Sequence, residues 1–80
     1  MSNSRSLNVI ASEIRSDWKS VNYGAKPYLD AMGCLENVSD NFGMDTGKSI
    51  VLYFLSNAST WRGETAKRVK AELKKMVGLK

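Results

Sequence analysis

The sequence predicts an all-α fold, a compact four-helix domain with a central buried third helix, on three observations. In three separate stretches apolar residues recur at spacings of three and four, which is how a helix with one buried side reads. A fourth stretch, Ile50 to Leu55, is apolar throughout; it is β-branched and aromatic enough for a strand, but nothing else in the chain offers a partner strand. The one proline and several glycines stand where helices begin and end.

Leu7, Ile10, Ala11, Ile14, Trp18 and Val21 form the first stripe, with Ser6 as the expected N-cap and Asn22-Tyr23-Gly24 as the stop. On its polar side Arg15 and Lys19 share one flank, and Glu13 and Asp17 the other. Pro27 opens the second helix, whose stripe Tyr28, Ala31, Met32, Leu35, Val38 and Phe42 predicts a run from Pro27 to about Asn41, capped by Gly43. Gly33 within it costs ~1 kcal/mol relative to alanine and suggests close approach by another helix. Cys34 falls at the edge of that apolar face and reads as a structural thiol. Asp45 or Thr46 starts the third helix. Ser59-Thr60 supplies cap chemistry for the fourth, expected from Trp61 to about Val77 with Ala66, Val69, Leu73, Met76 and Val77 inward and Gly78 as its stop.

Eighty residues amount to one domain, residues 1–80, with 1–5 expected to fray. Such a chain buries only ~60–65% of its unfolded surface, so pairing into a homodimer would add stability. Histidine is absent and Cys34 is the sole cysteine, which excludes Ser/His/Asp and Cys/His nucleophile systems and the usual zinc sites. No enzyme, metal or cofactor is expected. An unpaired thiol suits a reducing compartment, and the polar start Met1-Ser2-Asn3-Ser4 does not read as a signal peptide, so a cytoplasmic location is expected. The longest apolar run is far below the ~20 residues of a membrane span.

Gly43-Met44-Asp45-Thr46-Gly47-Lys48-Ser49 resembles a phosphate-binding loop but has three residues between its glycines where four are needed. Asp40 and Asp45 do not continue into calcium-loop spacing, because Phe42 and Met44 occupy the alternate positions. The remaining acids show no spacing that selects an acid/base pair.

Charge is more informative. The chain carries a net +4, yet residues 62–80 hold seven basic and two acidic groups, a net +5, leaving −1 on the rest. Lys67, Lys70 and Lys74 are expected to line one exposed ridge of the last helix, with Arg68 and Lys75 on the adjoining flank and Trp61 and Arg62 at its start. This ridge suits nucleic-acid phosphates, although lysines near a helix C-terminus also complement the helix dipole. Trp61 reads either as a contact residue or as a plug of the core. The Asn57–Gly63 connection partly resembles a helix-turn-helix, but Arg62, Glu64 and Glu72 fall where that motif buries apolar residues.

Asp17-Trp18-Lys19, Tyr23-Gly24-Ala25, Pro27-Tyr28-Leu29, Ser49 to Leu55 and, above all, Thr60-Trp61-Arg62-Gly63-Glu64 give residues 10–77 a further character. In this order they resemble a family of short uncharacterised proteins from bacteriophages and bacterial mobile elements. The resemblance implies a phage accessory protein acting in a bacterial host cell, a class that includes DNA-binding regulators and inhibitors of host defence such as anti-CRISPR proteins. The expected function is non-enzymatic binding of nucleic acid or a nucleoprotein complex through Trp61, Arg62, Lys67, Arg68, Lys70, Lys74 and Lys75; the alternative is inhibition of a host enzyme or immune effector by protein contact.

Overall fold

The computed structural model describes residues 5–78 as four helices, α1 (Leu7–Asp17), α2 (Lys26–Met32), α3 (Gly47–Ser56) and α4 (Glu64–Met76). Between α2 and α3 lie two short strands, β1 (Asn41–Phe42) and β2 (Asp45–Thr46), paired antiparallel with Asn41 opposite Thr46 and Phe42 opposite Asp45. The chain is thus mostly helical, with a small hairpin that an all-α reading did not include. None of the described helices is long and apolar enough to cross a membrane.

One core joins the four helices. Leu7, Ile10, Ala11 and Ile14 of α1 meet Leu29, Ala31 and Met32 of α2, Ile50, Val51 and Phe54 of α3, and Ala66, Val69 and Leu73 of α4. Trp18 and Trp61 complete it. Their rings stack with centroids 5.8 Å apart, and each meets Phe54 edge-on. The α3 run is not enclosed on every side: Leu52 and Leu55 are part-buried, and Tyr53 is 51% exposed beside Tyr28.

The helix ends differ from their expected positions for identifiable reasons. At α1 the Ser6 side chain makes no capping hydrogen bond. Instead, the Leu7 and Asn8 amides donate to the Glu36 and Leu35 carbonyls at 2.8 and 2.9 Å, so a distant loop satisfies the orphan donors of the first turn. α2 stops at Met32, well short of Asn41: past it the Cys34 and Leu35 amides turn back to carbonyls three residues earlier, at 3.0 and 3.1 Å, and the Leu35 and Glu36 carbonyls serve α1 in place of a continuing ladder. Cys34 consequently lies beyond α2 and is exposed, not a thiol at a helix's apolar edge. Gly33 is exposed, and a Cβ there would meet only carbonyls of its own helix, so no second helix approaches it.

Asp40 folds the following turn by accepting the Glu36 and Asn37 amides on its carboxylate. The α1 helix ends at Asp17, before Val21, as Trp18 turns into extended backbone and lies flat on Trp61. The α4 helix starts at Glu64 instead of Trp61, because Gly63 adopts φ +115°, ψ −179°, a conformation that interrupts any helix and that side chains resist. Thr60 is therefore an exposed turn residue and not a cap.

Residues 1–4 of the segment expected to fray lie outside the described residues. Arg5 belongs to the folded structure: its guanidinium donates to both carboxylate oxygens of Glu72, at 3.1 and 2.6 Å.

Candidate nucleic-acid interface

The α4 sequence places charge on three sides of one helix, and the neighbouring elements decide which charges remain available. Its buried stripe, Ala66, Val69 and Leu73, turns two flanks toward other parts of the chain. On one flank Arg68 and Glu72, four residues apart, meet Arg5 and Glu13. Arg5 bridges Glu72 and Glu13, with Nη1 2.7 Å from Glu13 Oε1, and Arg68 pairs with the other oxygen of Glu13. Hydrogen bonds from Arg5 and Arg68 hold the Glu13 carboxyl below the ordinary glutamate range, and the same contacts push the Arg5 guanidinium up. Two cations and two anions leave this flank neutral, so Arg68 is not a free member of the expected ridge.

The opposite flank carries Lys67, Lys70 and Lys74 at spacings of three and four. The Lys70 ammonium bends back to donate to the Ala58 and Trp61 carbonyls, both at 2.6 Å, and sits 5.9 Å from the centre of the Trp61 ring. It is half-buried, and burial, together with nearby Lys74 and Arg62, pushes its pKa below the ordinary lysine value. Lys70 therefore acts as a clasp on the α3–α4 connection, with its positive charge close to Lys74 and Arg62. Among the described residues Arg62, Lys67, Lys74 and Lys75 are exposed and have no acidic partner at ion-pair distance.

Trp61 is 2% exposed and its indole N–H donates to the Asp17 carboxylate at 2.8 Å, so it holds the interface in place from below and is not itself a surface contact. Arg62, the next residue, projects to solvent. The sequence placed Lys70 on the ridge but did not reveal its clasp, nor the roles of Arg5 and Glu13. The acidic and basic residues of α1 and α4 were visible, but their pairing depends on which helix faces pack together.

At the start of α3 the Gly47 and Lys48 amides donate to the Asp40 and Val38 carbonyls at 2.7 and 2.9 Å, and the Ser49 amide to Thr46 Oγ1 at 3.2 Å. The donors with which a phosphate-binding loop would wrap a phosphate are already engaged by the protein. No protein-family model, curated protein or solved structure matches the chain.

Proposed function

We propose that the protein is a non-enzymatic, phage-type accessory protein that holds nucleic acid, alone or within a nucleoprotein complex, against the Arg62–Lys67–Lys74 flank of α4. One observation carries this reading: Glu72 and Glu13 pair with Arg5 and Arg68 on one flank of α4, while on the other Lys67, Lys70 and Lys74 have, among the described residues, no acidic partner at ion-pair distance. A solubilising surface would intersperse both signs. Segregation on one helix suits a phosphate backbone, whose condensed counterions are released as lysine and arginine replace them. The setting is a bacterial host cytoplasm, as the phage resemblance implies.

Fluorescence anisotropy with labelled duplex and single-stranded DNA tests it. Phosphate contacts by Arg62, Lys67, Lys74 and Lys75 give a slope of log K against log salt near ~−3.6 on duplex, at ~0.9 per neutralised phosphate. K67E–K74E should abolish binding at moderate salt. Absence of binding at low salt, or a double variant that binds like the parent, rejects the proposal.

The protein-contact alternative is favoured by a different surface, the hairpin tip, where Phe42 is 45% exposed and Met44 fully so. Inhibition of a host enzyme or immune effector would use this tip as its anchor. A host partner that survives nuclease treatment in a pull-down and is released by F42A–M44A would favour that reading over nucleic acid.

A further inference from the structure

Between the end of α1 and the start of α2, Arg15, Trp18, Lys19, Val21, Lys26 and Leu29 line an open cavity of about 370 Å³. That volume lies in the ~300–1,000 Å³ range of small-molecule sites. Its two chemical halves differ. Trp18, Val21 and Leu29 make an apolar wall continuous with the core, whereas Arg15, Lys19 and Lys26 are all exposed at its rim.

The rim has a definite charge. Arg15 pairs with Asp30, which neutralises one cation. Among the described residues Lys19 and Lys26 have no acidic partner at ion-pair distance, so two of the three cations that line the cavity are unmatched. An anion seated in the cavity would meet both of these charges. A carboxylate or a phosphodiester brings one negative charge. A phosphate monoester brings ~1.5–2 at neutral pH and matches both ammonium groups.

We propose that this cavity binds a phosphate monoester carried on a planar or apolar body, with the phosphate between Lys19 and Lys26 and the body against Trp18 and Val21. The 5′-nucleotide fits this chemistry, whether free or as the phosphorylated end of a strand. Arg15 is held in reserve by Asp30. The site shares no residue with the α4 flank and stands whether or not that flank binds DNA.

Isothermal titration calorimetry on the full chain with adenosine 5′-monophosphate, adenosine and inorganic phosphate is the test. The monophosphate should bind at least about tenfold more tightly than either fragment, because only it engages both halves. K19Q–K26Q should weaken it at least about tenfold, K19R–K26R should restore most of the affinity, and D30N, which releases Arg15, should tighten it. K67E–K74E should leave it unchanged. A 5′-phosphorylated oligonucleotide that binds more tightly than the monophosphate, and loses the gain in its 5′-hydroxyl form, identifies a strand end as the ligand; equal or weaker binding identifies the free nucleotide. The proposal is overturned if the monophosphate gives no heat, if adenosine binds equally well, or if K19Q–K26Q binds like the parent. Failure of duplex binding with monophosphate binding intact removes only the α4 reading.

Discussion

Gly47→Ala is the substitution whose outcome the structure specifies most closely. Gly47 is the first residue of α3 and is buried against the turn that Asp40 folds. A Cβ there would stand 2.7 Å from the Asn37 carbonyl oxygen, 2.9 Å from Val38 Cα and 3.0 Å from the Val38 carbonyl oxygen. All three obstacles are backbone, so no side-chain rotation relieves them. The turn must move, and it carries the carbonyls that accept the Gly47 and Lys48 amides. Overpacking of this kind costs ~1–3 kcal/mol, and partial weakening of the two hydrogen bonds adds ~0.5–1.5 kcal/mol in all. Alanine returns ~0.5–1 kcal/mol by restricting the unfolded chain. The balance is a loss of about 2 kcal/mol, against a total of roughly 4–12 kcal/mol for a chain of this length. At ~4–8 °C per kcal/mol, the thermal midpoint should fall by roughly 8–16 °C in a circular-dichroism melt, with a lower urea midpoint at unchanged slope. Gly33→Ala is the control, because its φ of −65° is helical and its nearest obstacle is a carbonyl at 3.3 Å. A Gly47→Ala protein that melts with the parent, or no lower than Gly33→Ala, would refute the close approach.

Three further outcomes are expected. Gly63→Ala should cost ~1–3 kcal/mol by urea titration although nothing lies within 4 Å of its Cβ, because the residue occupies φ +115°. Lys70→Met keeps the aliphatic stem but removes the donor to the Ala58 and Trp61 carbonyls, so it should lower stability by ~1–3 kcal/mol while reducing DNA affinity less than K67E–K74E does. Acid titration should reveal Glu13, whose carboxyl lies below its ordinary value of 4.5 in the folded chain. Its contribution is complete above that unfolded value and is lost as pH falls through the lower, folded one. The stability gap between parent and E13Q should therefore be constant near neutrality and close on acidification; a gap independent of pH would contradict the Arg5–Glu13–Arg68 pairing.

Where the fold depends on one face of a single helix, it could be read from the residues alone. Leu7, Ile10, Ala11 and Ile14, and likewise Ala66, Val69 and Leu73, are buried as their spacing indicates. The stripe from Leu35 to Phe42 misled because Leu35 and Val38 do turn inward, from loop positions whose carbonyls serve α1 and α3 and not a continuing helix. Periodicity records which side chains seek the core; it does not record which backbone groups a distant helix will need. The interface shows the same division. The excess of lysine and arginine near the C-terminus was visible directly, whereas the loss of Arg68 to Glu13 and the inward turn of Lys70 follow from which surfaces meet.

The tie between Arg5 and Glu72 spans 67 positions, and Trp61 reaches Asp17 across 44. These contacts set an order of events during synthesis. Part of the α1 stripe stays uncovered in a nascent chain until nearly the whole of α4 has left the ribosome, since α1 packs against α4 as well as α2. The Leu7 and Asn8 amides can join the loop after α2 early, but closure of the core waits for α4. Its cationic flank takes shape only once α4 has docked on that core.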